Sequence, residues 1–358
     1  MKYIVSHGPS ATGPWTQADP QSELNRNVEG LENGVERHFF VRSKSDVTGL
    51  ISDPSPVIAR TPIAGGNPYI EATLGNTGPT VGSFNAPSPT LLASNGGSYE
   101  FKSSHSGETF SGLRFDKPGK TKFGNSMTLN FIDCEFDAYG LGTVTPYAFQ
   151  AQNDSTGTVL VTLNFLRCRF LNGQKNLLTR GGSIIDCQFL DAGADAIFFS
   201  RTDSDLLIEH CFLDRFGTLV NTSDGNPHTD GIQGRHATKS LSFRGNTING
   251  YSVNTGTPTG VKTTSACVNL ETADGPITGP VNFSFNKIGA GAHGVQFVND
   301  HNTPGGSSHP DYGPVQQMTI QGNVFSDQSQ HSPVTSDAQT VLVTGNTLTD
   351  GTNIDNLF

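Results

Sequence analysis

The sequence predicts an all-β solenoid, in which the chain winds into stacked coils of short strands. The first observation is a phrase, apolar-x-apolar-x-x-(Cys or Asn)-x-apolar, that recurs eight times between residues 129 and 348. The second is that its Cys or Asn positions stand 19 to 40 residues apart, so a regular unit alternates with connections of variable length. The third is the composition: 42 Gly and 20 Pro in 358 residues, with only 15% charged residues, suit a turn-rich β protein.

Each copy of the phrase predicts two strands and the corner between them. Side chains alternate along a strand, so the first and third positions share one face. The last apolar position falls out of step by one residue, so the backbone turns there and the Cys or Asn points inward. We expect each Asn to bond nearby backbone and the Asn of the next coil, and the thiols to form a buried ladder rather than disulfides or a zinc site. The eight corner residues are Cys134, Cys168, Cys187, Cys211, Asn246, Asn286, Asn323 and Asn346.

A third strand follows the corner in several coils. These strands are Ala196–Phe199, Gly231–Gln233, Cys267–Leu270 and Gly294–Phe297. Three strands per coil with stacked Phe, Ile and Asn resemble the right-handed parallel β-helix of the pectate-lyase-like superfold, from about residue 100 to about residue 350. The resemblance implies that fold, and proteins of this kind include polysaccharide lyases, polygalacturonase-like hydrolases and phage tailspikes.

The N-terminal region predicts a cap and the first strands in residues 1–45, followed by the β-helix in residues 46–358. The segment Asp19–Asn33 places Leu24, Val28 and Leu31 on one helical face, which predicts a short helix that caps the first coil. Tyr3–Ser6 and His38–Val41 are predicted strands. Residues 46–100 lack a clear copy of the phrase, which leaves irregular early coils or a small inserted subdomain as alternatives.

Charge and hydropathy exclude two classes of partner. A net charge of −10 argues against nucleic acid. The chain has no apolar run long enough for a transmembrane helix or a signal peptide, so we expect no membrane partner. The remaining expectations are a cytosolic protein, a phage virion component or a secreted protein whose signal was trimmed, with extracellular action on a glycan.

The stacking of coils aligns candidate functional residues. Asp195, Asp230, Ala266 and His293 take equivalent places just before the third strand, with His228 close to Asp230. Two outward columns follow along the strands. The first holds Phe198, Gln233, Asn269 and Gln296, and the second holds Ser200, Arg235, Glu271 and Val298, with Arg201, His236 and Lys262 near them in sequence. Long loops from neighbouring coils flank this surface, so it predicts a groove for an extended polymer.

Two short segments resemble the polygalacturonase-type β-helix hydrolases. Their Asn-Thr-Asp-Gly signature is similar to the segment from His228 to Gly231, and their Gly-His-Gly segment is similar to the one centred on His293. Where those enzymes carry paired aspartates in the intervening coil, this chain has Ser265 and Ala266. The resemblance therefore covers one aspartate and one histidine but not the aspartate pair.

Three function classes follow, all with a polysaccharide partner. In a uronate lyase, or the related epimerase, Arg235, Lys262 or a bound cation neutralises the uronate while His228 or His293, oriented by Asp230, abstracts the C5 proton. Among these classes the lyase is the leading expectation. A glycoside hydrolase would pair Asp230 with Asp195 or Glu271. A non-catalytic tailspike-like or adhesive protein would bind glycan through the Phe198 column.

Two further expectations concern a cation and an oligomer. Calcium is the candidate cofactor. Asp203, Asp205 and Asp214 form an acidic cluster that we expect to cap turns, with a calcium site as the alternative. The resemblance to phage β-helices, which are often trimers, adds a homotrimer.

Overall fold

The computed structural model describes residues 2–17, 37–46, 48–55, 57–60, 71–93, 97–122, 124, 126–138, 147–151, 160–202, 204–218, 229–259, 261–299 and 310–358. The chain divides into two compact units, Met1–Pro68 and Tyr69–Phe358. The described helical turns are short 3₁₀ segments at Pro89–Leu91, Ser103–His105 and Asp355–Leu357. No helix within these described ranges is long and apolar enough to cross a membrane.

The first unit contains a four-stranded antiparallel sheet in the order β2-β1-β3-β4. Its strands are β1 (Lys2–Gly8), β2 (Thr16–Gln17), β3 (Arg37–Lys44) and β4 (Ile58–Arg60). The two segments predicted as first strands fall in β1 and β3, which pair with each other. They belong to an antiparallel sheet and not to parallel coils. The predicted capping helix lies outside the described residues.

The second unit is a right-handed parallel β-helix built from three parallel sheets of nine strands each, as the sequence predicts. Sheet 1 holds the strand that precedes each corner. Its strands are β6 (Thr109–Ser111), β9 (Met127–Ile132), β12 (Val161–Leu166), β15 (Gly182–Ile185), β18 (Leu206–Glu209), β21 (Leu241–Arg244), β24 (Val281–Ser284), β27 (Met318–Gln321) and β30 (Thr340–Thr344).

Sheet 2 holds the short strand that follows each corner. Its strands are β7 (Arg114–Phe115), β10 (Glu135–Asp137), β13 (Arg169–Leu171), β16 (Gln188–Leu190), β19 (Phe212–Asp214), β22 (Thr247–Ile248), β25 (Lys287–Ile288), β28 (Val324–Phe325) and β31 (Thr347–Leu348).

Sheet 3 holds the third strand of each coil and carries the candidate site. Its strands are β5 (Tyr99–Phe101), β8 (Gly119–Thr121), β11 (Tyr147–Gln150), β14 (Lys175–Leu178), β17 (Ile197–Phe199), β20 (Asp230–Gly234), β23 (Ala266–Glu271), β26 (His293–Val298) and β29 (Ser332–Ser336).

The corner between sheets 1 and 2 depends on one residue in the left-handed backbone region, directly before the inward Cys or Asn. This conformation costs a residue other than glycine about 1–2 kcal/mol. Side-chain pairing between stacked corners offsets part of that cost: Arg167 bonds Asp133 at 2.8 Å, and His210 lies 2.5 Å from Asp186. The left-handed residues before the eight Cys and Asn positions are Asp133, Arg167, Asp186, His210, Gly245, Phe285, Gly322 and Gly345, with φ between 50° and 68°. Gly112, with φ 63°, has the same conformation before Leu113 in an earlier coil.

The asparagine corners form the predicted ladder. Each side-chain NH₂ donates to the Oδ1 of the next rung, at 2.9 Å from Asn246 to Asn286, from Asn286 to Asn323 and from Asn323 to Asn346. The same Oδ1 atoms also accept the backbone N–H of the preceding rung. Asp355 closes the ladder by accepting from the backbone and side chain of Asn346. Every rung is buried, so these bonds satisfy polar groups that water does not reach.

The cysteine corners continue the same column and are free thiols. Cys134, Cys168, Cys187 and Cys211 are fully buried, with their sulfur atoms 3.2–3.7 Å from backbone carbonyl oxygens. The predicted buried ladder is confirmed. Cys267 stands outside this ladder and is also interior, where burial raises its thiol pKa to about 12.

Phenylalanine stacks fill the interior beside the corner column. Phe115, Phe136, Phe170 and Phe189 stack on successive coils with ring centroids 4.7, 5.0 and 4.7 Å apart. These spacings match the separation of neighbouring strands, so one side chain per coil fills the core without a gap. The interior is therefore occupied, and functional groups must lie on the outside of the coils.

Residues 71–93 belong to the region for which the sequence leaves two alternatives open. They hold a short 3₁₀ turn and cross the outside of several coils. The Gly78 amide donates to the Asp186 carbonyl at 2.6 Å, and the Thr80 amide donates to Asp133 Oδ1 at 2.9 Å. This segment covers the corner between sheets 1 and 2, which leaves sheet 3 as the face with the candidate residues.

Candidate functional site

One column at the start of the sheet 3 strands brings acidic, basic and aromatic residues together. The register pairs Asp230 with Ala266 and Ala266 with His293, and the pairing of β17 with β20 places Asp195 beside Asp230. The predicted alignment of these four positions is present. In coil order the column contains Tyr147, Lys175, Asp195, Asp230, Ala266, His293 and Ser332.

The two outward columns also align as predicted. In the first column each residue pairs with the next one, in the order Phe198, Gln233, Asn269 and Gln296. The second column lies two residues further along the strands and contains Arg235 and Glu271. Although they point outward, Gln233 and Asn269 are only 2% and 6% exposed. Both amides contact neighbours within the site: Gln233 bonds Lys175 and Glu271, and Asn269 bonds Asp230.

Asp195 forms an ion pair beneath the surface. Its Oδ2 lies 2.5 Å from Lys175 Nζ, and its Oδ1 accepts the backbone N–H of Asp230 at 3.0 Å. Its side chain is 1% exposed. The buried carboxylate therefore has a cationic partner and a backbone donor, the compensation that a buried charge requires.

Asp230 is fully buried and lies one coil further along. Its Oδ1 accepts the Ala266 N–H at 2.9 Å, and its Oδ2 accepts from Asn269 at 3.3 Å. Burial raises the pKa of Asp230 well above its ordinary value, and the negative charge of Asp195 raises it further. Asp230 thus holds a proton at a pH at which an exposed aspartate has lost it.

A polar network connects Asp195 to the outward columns. Lys175 Nζ lies 3.8 Å from the centre of the Phe198 ring and 3.4 Å from Gln233 Oε1. The Gln233 side chain donates to Glu271 Oε1 at 3.2 Å, and the same oxygen pairs with Arg235 Nε at 2.7 Å. The network therefore brings together two cations, an aromatic ring and the carboxyl groups of Asp195, Asp230 and Glu271. These groups come from four successive coils.

In this network the cations lie nearer to the surface than the carboxylates. The side chains of Lys175 and Arg235 are 23% and 35% exposed, whereas those of Asp195 and Glu271 are 1% and 12% exposed. Phe198 lies at the same surface, with the Arg235 guanidinium carbon 5.9 Å from its ring centre. A ligand that approaches this part of sheet 3 meets two cations and an aromatic face before it meets a carboxylate.

His293 lies at the far end of the column, in a different setting. Its Nδ1 is 2.9 Å from Thr335 Oγ1, and its ring centre is 5.3 Å from that of His331. Burial lowers the pKa of His293, and the neighbouring His331 lowers it further, so the ring is neutral near pH 7. Asp230 stands two coils away, about 10 Å, so Thr335 and not Asp230 orients this imidazole.

The remaining predicted site residues are His228, Arg201, His236 and Lys262. His228 lies outside the described residues. Arg201 and His236 are adjacent positions of neighbouring coils, because Thr202 and Ala237 form the next bridge. The Lys262 amide donates to the Gly217 carbonyl at 3.1 Å. Arg201, His236 and Lys262 all make side-chain or electrostatic contacts of their own, and their predicted roles stay predictions.

Sequence reasoning missed Lys175 and Tyr147. Both stand in the same column as Asp195. Burial raises the pKa of the Tyr147 phenol, and the charge of Asp195 raises it further. The signal was present, since a third strand follows Gly173 just as later third strands follow their own glycines. Extending the register back by two coils would have found both residues.

Two of the three acidic residues considered for calcium have other partners. Asp203 lies outside the described residues, Asp205 Oδ1 accepts the Ser240 amide, and Asp214 Oδ1 accepts the Tyr251 hydroxyl. Among the described residues, no group of three or more His, Cys, Asp or Glu side chains is arranged to hold a metal ion.

No protein-family model, curated protein or solved structure matches this chain.

Proposed function

We propose that the chain hydrolyses glycosidic bonds in an anionic polysaccharide, with Asp230 as general acid and Asp195 as its carboxylate partner. The observation that carries the proposal is the difference between two aligned carboxyl groups on adjacent coils. Asp230 is buried with a raised pKa, whereas Asp195 forms an ion pair with Lys175. Acid and nucleophile roles in glycoside hydrolysis require two carboxyl groups in different electrostatic environments, as these two are.

The spacing of the coils favours hydrolysis with retention of configuration. The backbones of Asp195 and Asp230 stand one strand spacing apart, about 4.8 Å. Their carboxyl groups accept equivalent backbone amides, those of Asp230 and Ala266, so the two carboxyl groups are separated by about one spacing as well. This separation is close to the roughly 5–5.5 Å between the carboxyl groups of retaining enzymes and below the roughly 6.5–9.5 Å of inverting ones. In the first step Asp195 attacks the anomeric carbon as Asp230 protonates the departing glycosidic oxygen. Both groups are buried in the free protein, so this step requires Lys175 to move from Asp195 and Asn269 to move from Asp230. Water then cleaves the glycosyl ester, and Asp230 takes back its proton. Glu271, five residues along the next strand, is the less direct partner.

The charged surface above the carboxylates favours an anionic substrate. Lys175 and Arg235 are the exposed members of the network and flank Phe198. A uronate carboxylate gives Lys175 a second partner, which draws the ammonium away from Asp195 and opens that carboxylate to the sugar. Binding of an anionic sugar therefore exposes the nucleophile Asp195.

A uronate lyase is the second candidate, and the neutral imidazole of His293 is the observation that favours it. A neutral ring can abstract a C5 proton, but the same sugar must also have its carboxylate neutralised. Lys175 stands four coils from His293, about 19 Å, and Arg235 stands two coils away and five residues further along the strands. Neither cation reaches a sugar bound at His293, so elimination is less well supported than hydrolysis.

The test is a panel of alginate, polygalacturonate, glucuronan and hyaluronan, monitored for new reducing ends and for the ultraviolet absorbance of unsaturated uronate. We expect new ends without absorbance, an initial product that retains the anomeric configuration by NMR, and loss of activity in Asp230→Asn and Asp195→Asn. Asp205→Asn is the matched control, because that exposed carboxylate only accepts a backbone amide outside the site.

Each other outcome assigns the protein differently. Absorbance that rises with the new ends means a lyase. Retardation of the protein in a glycan gel with neither signal means a binding protein, the third alternative. Lys175→Met also leaves Asp195 without its cationic partner, so kcat should fall on both the uronate polymer and its carboxyl-reduced form. KM should rise for the uronate polymer alone. An equal rise of KM on both polymers would contradict the assignment of Lys175 to the uronate.

A further inference from the structure

A cavity of about 540 Å³ opens where the chain turns from sheet 2 towards sheet 3, outside the charged network. The loop that follows β22 forms one wall and the turn after β25 forms the other. Asn249, Tyr251, Thr255, Thr257, Pro258 and Gly289 are among its lining residues. Its volume falls in the range of about 300–1,000 Å³ that is usual for small-ligand sites.

Hydrogen bonds hold the loop wall in place. Ser252 Oγ donates to the Gln328 carbonyl at 2.6 Å, and Asn254 Nδ2 reaches the carbonyls of Gln328 and Ser329 at 3.4 and 3.3 Å. At its base, the Tyr251 hydroxyl donates to Asp214 at 2.5 Å. The wall is therefore tied to two other coils, and the cavity exists before any ligand arrives.

The lining is polar but carries no formal charge. Its side chains supply two threonine hydroxyls, an asparagine amide, a proline ring and the half-buried Tyr251, with glycine backbone between them. Burial and the Asp214 carboxylate raise the pKa of Tyr251, so its hydroxyl stays protonated. An aromatic face surrounded by neutral donors and acceptors suits an uncharged, hydroxyl-rich ligand, whereas an anion would find no cationic partner in this lining.

The cavity adjoins the candidate site through two residues. The Tyr251 amide donates to Thr264 Oγ1 at 2.9 Å, and the Thr264 amide donates to the Tyr251 carbonyl at 2.8 Å. Thr264 stands two residues before Ala266, which pairs with Asp230 in the column. A single glycan chain can therefore contact both places.

We propose that this cavity is a binding subsite for an uncharged sugar residue of the polysaccharide that the charged network cleaves. The inference rests on the proposed function for the identity of the polymer. The substrate is then a heteropolymer or a branched glycan, with acidic residues at Lys175 and neutral residues at Tyr251.

The test uses the full chain with the Asp230→Asn substitution, titrated with hexasaccharides of glucose, mannose and galactose by saturation-transfer NMR and calorimetry. We expect at least one of these probes to bind, and Thr257→Trp to weaken that binding at least about tenfold by filling the cavity. Thr259→Trp is the matched control, since Thr259 is an exposed threonine of the same loop outside the lining. Tyr251→Phe keeps the ring and should retain most of the binding.

Two results overturn the inference. Either none of the hexasaccharides binds, or the Thr257→Trp and Thr259→Trp variants bind a hexasaccharide with equal affinity. Comparison with Lys175→Met separates this inference from the proposed function. Loss of neutral-sugar binding only in Thr257→Trp supports the cavity even if no uronate polymer is cleaved. Cleavage of a uronate polymer that is unaffected by Thr257→Trp leaves the proposed function standing and removes the subsite.

Discussion

Replacement of Asn286 by leucine tests the asparagine ladder most directly. The Asn286 Oδ1 accepts the backbone N–H of Asn246 at 3.1 Å and its side-chain NH₂ at 2.9 Å. Leucine removes this acceptor and leaves two buried donors without a partner, at about 1–3 kcal/mol each. Their sum is roughly 2–6 kcal/mol, and the burial of additional apolar surface by leucine offsets about 1 kcal/mol. We expect Asn286→Leu to lower the free energy of unfolding by about 1–5 kcal/mol.

Urea unfolding followed by circular dichroism measures this loss, and Asn286→Cys is the matched control. Cysteine occupies the same corner at Cys187, where its sulfur lies 3.4 Å from the backbone nitrogen of Cys168 and 3.2 Å from the carbonyl oxygen of Ile185. The cysteine variant should therefore lose clearly less stability than the leucine variant. Leucine and cysteine variants of equal stability, or a leucine variant that unfolds like the wild type, would refute the role assigned to the corner amide.

Two further predictions concern buried titratable groups. The raised pKa of Asp230 means that its ionisation opposes folding, so the stability it contributes is present below about pH 4 and is lost as pH rises through the raised pKa. Asp230→Asn, whose amide can donate to the unpartnered Oδ1 of Asn269, should gain melting temperature over the wild type as pH rises, and a difference independent of pH would contradict this. All five cysteines are buried, so a thiol reagent should modify none in the folded protein and five after denaturation in guanidinium. Rapid modification of any thiol without denaturant would contradict this burial.

The candidate site could be predicted only in part from the sequence. The alignment of Asp195, Asp230 and His293 followed from counting residues from each corner, because parallel strands in successive coils keep their register. The role of Asp230 as the residue orienting His293 did not follow, because side-chain reach is short compared with two coil spacings. Lys175 and Tyr147 were missed because the first predicted third strand begins at Ala196, one coil after Lys175 and two coils after Tyr147.

The sequence by itself determined the solenoid. The out-of-step apolar positions around each Cys or Asn require a corner, and the corner sets two strands and an inward ladder wherever the phrase occurs. Tertiary structure alone decided the charge layering and the raised pKa of Asp230, because burial and contacts between coils depend on how loops and neighbouring strands cover each group. The neutral cavity beside Tyr251 has the same origin, since the walls that form it come from segments some 40 residues apart. Local pattern sets the backbone path of this chain, and contact across coils sets its chemistry.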